Sequence, residues 1–150
     1  MQIIMYGTAG AAGARQLWEK EESIRASLPA CIGEGLRRAC GSYPAEVTND
    51  EQALAIADGG VYAALWRLGE QYGLGLCVYG ERIPILQETI EICEVADKNP
   101  YRLEGDGFLC VCSEMPPAGG QCIGYLTRSK ERIVIGREGI RYLTKPERNY

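Results

Sequence analysis

Two glycine clusters carry the clearest chemical possibility in this chain. Gly7-Thr8-Ala9-Gly10-Ala11-Ala12-Gly13 follows a short apolar run, and Ala57-Asp58-Gly59-Gly60 leads into a helical pattern. The start of a helix leaves N–H groups unpaired, so both clusters suit a phosphate or another small anion. Gly7, Thr8, Gly10, Gly13, Asp58, Gly59 and Gly60 are therefore the candidate anion-binding residues. Glycines serve equally where two backbones pack closely, and spacing alone does not separate the two uses. Tyr62 and Trp66, one turn apart beside the second cluster, are candidate groove residues, although aromatic side chains as often fill cores and interfaces.

Other chemistry is thinly supplied. The chain has no histidine, which removes Ser-His and Cys-His pairs and histidine metal sites. Its seven cysteines (Cys31, Cys40, Cys77, Cys93, Cys110, Cys112 and Cys122) form no CxxC. Cys77, Cys93, Cys110 and Cys112 sit inside apolar patterns, where cysteine behaves as a small hydrophobe, so buried thiols in a reducing compartment are expected. Cys110 and Cys112 share a strand face, with Cys122 on a neighbouring strand, but no fourth zinc ligand is evident. Glu88, Glu91 and Glu94 read as a solvated helix face. No catalytic residue, metal site or cofactor is expected.

These residues need elements to hold them. Gln2 to Tyr6 reads as a strand, and a helix is expected from Ala11 to Arg25. Pro29 breaks the chain before a second helix from Ala30 to Cys40, with Cys31, Leu36 and Ala39 inward and Gly41 as its cap. Thr48-Asn49-Asp50-Glu51 has the form of a capping box that starts a short helix or turn through Leu54. The organising helix follows: Val61, Ala64, Leu65 and Leu68 fall at i, i+3, i+4 and i+7, and Gly73 and Gly75 stop it. A strand is expected from Leu74 to Tyr79, then a helix whose inward stripe is Leu86, Ile90 and Cys93. Phe108 to Cys112 reads as a central strand, Met115 to Gly120 as a loop and Cys122 to Leu126 as a strand. Arg132 to Ile135 and Ile140 to Leu143 make a hairpin. The sum is α+β, with five or six strands in a mostly antiparallel sheet covered by helices.

At 150 residues, 46% hydrophobic and 24% charged, residues 1 to 150 read as a single domain of ordinary globular composition. A net charge of -4 gives no general attraction for nucleic acid. Charge is nonetheless uneven: residues 81 to 106 hold seven acids and three bases, whereas residues 128 to 148 hold seven bases and three acids. No run approaches the roughly 20 apolar residues of a membrane span, and MQIIMYG lacks the features of a signal peptide, so no membrane contact and a cytoplasmic location are expected.

The order of motifs resembles one known pattern. Gly7 to Gly13, Ala57-Asp58-Gly59-Gly60-Val61-Tyr62-Ala63-Ala64-Leu65, and Ile83-Pro84-Ile85 leading through Cys93-Glu94 to Asn99-Pro100 and Gly107 are similar to the C-terminal domain of the aminoimidazole-ribonucleotide (AIR) synthase-related, PurM-like superfamily. Within it the likeness is nearest to the hydrogenase expression/formation (maturation) family and covers residues 3 to 145. The resemblance implies an α/β sandwich with a mostly antiparallel sheet, and a glycine loop facing the cleft between two domains.

Four departures shape the functional expectation. In the resembled superfamily an N-terminal domain supplies metal ligands and most of the nucleotide site, and that half is expected to be absent here. The family segment D-x-T-x-G-G has become Ala55-Ile56-Ala57-Asp58-Gly59-Gly60, and a carboxylate at Asp58 repels phosphate unless a cation bridges them. A helix normally inserted between two strands is replaced by the MPPAGG loop. The maturation family also ends in a group-carrying cysteine, whereas this chain ends Glu147-Arg148-Asn149-Tyr150. The expectation is a non-catalytic domain that binds a small anionic ligand or docks a partner, with self-association. One alternative is a subunit of a split ATP-dependent enzyme whose ATP-binding domain is a partner protein; the other is a homo-oligomeric structural or regulatory protein.

Overall fold

A computed structural model describes residues 1–38, 43, 52–113 and 119–146. In chain order it contains β1 (Gln2–Tyr6), α1 (Ala11–Lys20), α2 (Glu22–Ser27), α3 (Cys31–Arg38), β2 (Leu54–Ala55), α4 (Gly60–Tyr72) and β3 (Gly75–Tyr79). A 3-10 turn (Gly80–Arg82), α5 (Gln87–Ala96), a second 3-10 turn (Pro100–Arg102), β4 (Phe108–Cys112), β5 (Gln121–Thr127), β6 (Arg132–Gly136) and β7 (Gly139–Tyr142) follow. The described strands form one seven-stranded sheet in the order β2-β4-β1-β5-β3-β6-β7. Its pairings are antiparallel except β3 with β6.

The α+β architecture follows from the apolar stripes. Val61, Ala64, Leu65 and Leu68 of α4 are all fully buried, as the helical spacing required. They share a core with Ile3 and Met5 of β1, Leu76 and Val78 of β3, Leu109, Ile123 and Val134. Burying each large aliphatic side chain contributes about 1.5–3 kcal/mol, so this face anchors the molecule. A second core, helical, joins Ala14 and Trp18 of α1, Ile24, Ile32, Leu36 and Ile92. On the opposite face of the sheet Ile4, Tyr6 and Cys110 pack with Tyr43 and Phe108.

Several boundaries differ from the sequence expectation. The first helix divides at Glu21, whose extended backbone (φ −109°, ψ 100°) starts α2 at a new angle. In α3 the inward residues are Ile32, Gly33 and Leu36, while Cys31 is exposed. Leu54 belongs to a strand that pairs with Leu109, not to a helix or turn. The inward stripe of α5 is Thr89, Ile92 and Cys93: Cys93 is buried as expected, but Thr89 and Ile92 are buried where Leu86 and Ile90, both half-buried, were expected. Cys110 and Cys122 flank Ile4 from either side, so β1 separates the strands that carry them. The seven strands exceed the five or six expected, the extra one being the two-residue β2. Ala39, Cys40 and Gly41, Thr48 to Glu51, Met115 to Ala118 and Glu147 to Tyr150 lie outside the described residues.

Candidate functional site

The two glycine clusters converge on the same stretch, Pro100 to Gly107. Gly10 caps α1 at φ +70°, and a Cβ there would stand 2.5 Å from the Pro100 carbonyl oxygen. Gly60, at φ +71°, opens α4, and a Cβ there would lie 2.5 Å from both the Tyr101 and Leu103 oxygens. Only a residue without a side chain fits such a contact. The Gly13 N–H donates to the Glu104 carbonyl at 2.9 Å, the Gly60 N–H to Ala57 at 3.0 Å, and Gly7 lies against Gly107. Arg15 reinforces the junction through a 3.2 Å ion pair with Asp106. Gly10, Gly13 and Gly60 are buried, Gly7 and Thr8 half-buried, and among the seven candidates Asp58 and Gly59 are exposed.

Two adjoining hollows share Asp58, Gly59 and Arg102. The smaller, about 340 Å³, brings Gly13 together with Asp58 and Gly59 beside Gln16, Lys20, Glu21 and Glu104. The larger, about 930 Å³, lies between α4 and the segment that leaves β7, and takes in both Tyr62 and Trp66. Gly7, Thr8, Gly10 and Gly60 line neither of these two hollows.

The larger hollow is the more chemically equipped. Arg67 comes from the outer face of α4, Arg102 from the second 3-10 turn, Arg141 from β7 and Lys145 from the segment beyond. Its acids are Asp58 and Glu70. Glu70 accepts a hydrogen bond from the Trp66 indole N–H, and the Asp58 carbonyl accepts one from Arg67 Nη1 at 3.5 Å. Tyr62 stacks on Tyr101 with centroids 5.4 Å apart and planes at 17°, while the Arg141 guanidinium lies 5.8 Å from the Tyr62 ring. The Trp66 ring is covered by Arg132 at 4.4 Å. Burial raises the pKa of the Tyr62 hydroxyl, opposed by Arg141 and Arg102, so the group is a protonated donor at neutral pH.

The smaller hollow has the opposite balance. Lys20 and Arg102 face Glu21, Asp58 and Glu104, a local excess of negative charge at neutral pH. Among the described residues no three metal-ligating side chains cluster closely enough to hold a metal ion. No described helix is long and apolar enough to cross a membrane.

Sequence reasoning singled out Tyr62, Trp66, Asp58 and Gly59 but missed Arg67, Arg102, Arg141 and Lys145. The usable signal was the basic excess of residues 128 to 148, which contains two of the four.

No family model and no curated protein matches the chain. Solved structures do. The hydrogenase maturation protein HypE in complex with ATP superimposes with a TM-score of 0.69 over 98% of this chain and 51% of its own, at 17% identity. A HypE-HypF complex matches with a TM-score of 0.63 over 97% and 52%, also at 17% identity. The thiamine monophosphate kinase of Aquifex aeolicus matches with a TM-score of 0.61 over 97% and 51%, at 21% identity. The chain spans about half the length of each of these proteins. What they share with it is the AIR synthase-related, PurM-like fold, a mixed α+β domain with a mostly antiparallel sheet.

Proposed function

We propose that this chain is a non-catalytic accessory domain, an AIR synthase-related C-terminal-like unit that binds a small anion at the trough beside Asp58 and Gly59 or presents that surface to a partner protein. One observation supports this reading above the others: a hollow of about 930 Å³ lined by four cationic side chains, in a chain whose net charge is -4. Positive charge gathered in a concave site raises the local concentration of anions, and the volume is that of a small-molecule site. A cytoplasmic location and self-association belong to the same reading. Isothermal titration with nucleotides and sugar phosphates tests it: micromolar-to-millimolar binding of an anion is expected, and no heat with any anion overturns the ligand version. Light scattering on dilute protein tests self-association, which a clean monomer overturns.

A second reading is favoured by the length relation, since the chain corresponds to about half of each solved neighbour, one of them holding ATP. On this reading the chain is one subunit of a split ATP-dependent enzyme, and another polypeptide brings the nucleotide-binding half. A pull-down that recovers an ATP-binding-domain protein, with ATP hydrolysis appearing only on mixing, is the expected result. Magnesium-dependent nucleotide hydrolysis by this chain alone overturns both readings.

A further inference from the structure

We infer that the anion is held in the larger hollow, by the side chains of Arg67, Arg102, Arg141 and Lys145 and not by glycine-cluster N–H groups, and that it is a compact anion of two or more negative charges. The inference rests on the anion-binding reading above and deepens it.

Three observations carry it. First, Gly10, Gly13 and Gly60 of the glycine clusters are already spent on packing. The N–H groups of Gly13 and Gly60 are bonded to carbonyl oxygens at 2.9 and 3.0 Å, and the Gly10 and Gly60 α-carbons face the 100–103 backbone at a distance that leaves no space for a ligand atom.

Second, the two hollows have opposite charge balance. Four cations oppose two carboxylates in the larger, and two cations oppose three carboxylates in the smaller. A polyvalent anion gains attraction in the first and meets repulsion in the second, by an amount that grows with each charge it carries.

Third, the cations of the larger hollow have little else to do. Among the described residues none of Arg67, Arg102, Arg141 or Lys145 forms an ion pair, whereas Arg15, Arg38 and Arg137 each do. Four cations set against two carboxylates leave a net positive charge, so the arrangement lowers its energy when an anion enters. The protonated Tyr62 hydroxyl, flanked by Arg102 and Arg141, adds a neutral donor. The charges come from three separate segments, which suits an anion with several acceptor groups better than a single carboxylate.

The test is titration calorimetry on the full chain with pyrophosphate, citrate and acetate at low and physiological salt. Pyrophosphate and citrate separate a phosphate ligand from a polycarboxylate, and acetate is the univalent control. Three variants follow: Arg141→Gln and Lys145→Gln, which touch only the larger hollow, and Lys20→Gln, which touches only the smaller. Wild type is expected to bind at least one polyvalent probe about tenfold or more tightly than acetate, with affinity falling as salt rises. Arg141→Gln and Lys145→Gln each weaken that binding by about tenfold, while Lys20→Gln leaves it unchanged or weakens it only slightly. The altered side chains are all exposed, so unliganded melting curves are expected to coincide with wild type. Polyvalent binding that Lys20→Gln abolishes, or that Arg141→Gln and Lys145→Gln leave intact, overturns the placement while the anion-binding reading survives. Acetate binding as tightly as pyrophosphate and citrate overturns the polyvalent class. Absence of binding by wild type with every probe overturns the placement together with the reading it rests on.

Discussion

The glycine clusters and the cationic hollow adjoin, yet they are built in opposite ways. Around Gly10, Gly13 and Gly60 the chain is pressed against Pro100 to Glu104 so closely that carbonyl oxygens, or at Gly13 the Leu103 side chain, occupy the space of missing side chains. Around Arg67, Arg102, Arg141 and Lys145 it is left open, and long side chains converge on a cavity from three segments. The first region looks like a binding motif in the sequence and serves as a joint. The second is scattered in the sequence and has the composition of a site. Small residues before a helix therefore mark either proximity to a ligand or proximity to backbone, and the neighbours decide which.

Substitutions ordered by expected effect separate the pressed region from the open one. Gly60→Ala should be the most damaging. It puts a Cβ 2.5 Å from two carbonyl oxygens at a φ of +71°, and a loss of about 3–5 kcal/mol in urea unfolding is expected. Stability close to wild type would show that the joint has slack and would weaken the contrast at its root.

Thiol chemistry offers the next largest difference. Burial pushes the Cys93 thiol from 9.0 up to about 11, whereas Cys31 is exposed. At pH 8 the Cys93 thiolate is about a hundredfold scarcer than an ordinary one, so Cys31 should react with a disulfide reagent at least that much faster. The sign for stability follows: folding keeps Cys93 protonated, so its contribution is whole below about pH 9 and is lost as pH rises towards about 11. Comparable rates at the two cysteines would mean that the helical side opens readily.

Smaller effects fall on the charges. Asp106→Asn breaks the partly buried pair with Arg15 that ties α1 to the joint, at a cost of about 1 kcal/mol. Arg137→Gln removes an ion pair with Glu81 whose side chains are 88% and 62% exposed, and the melting curve should stay within about 0.5 kcal/mol of wild type. A larger loss for Arg137→Gln than for Asp106→Asn would reverse the assignment of which side holds the fold together.

What was legible in the sequence depended on whether the signal was local. The stripe of α4 was readable because four apolar positions recur at helical spacing, and all four are buried. The β6–β7 hairpin was readable because Gly136 and Gly139 bracket a two-residue turn. The break at Glu21 was not, since neither proline nor glycine marks it. The stripe of α5 was legible only at Cys93, because Thr89, a polar residue, is fully buried while Ile90 is not. β2 is too short for periodicity, and it exists only because Leu54 and Ala55 meet Leu109 and Phe108. The cationic hollow was legible only as the basic excess of residues 128 to 148, because Arg67, Arg102 and Arg141 line one cavity only after the sheet has formed.

The place of β1 has a consequence for how this chain is made. β1 lies in the middle of the sheet, and both of its partners, β4 and β5, follow it about a hundred residues later in the chain. Until then its apolar residues Ile3, Ile4 and Met5 have no sheet to join, a condition that invites off-pathway association in a nascent polypeptide. Synthesis halted before β5 would leave Ile3 and Met5 without that strand, so the sheet around β1 closes only after that stretch has been made.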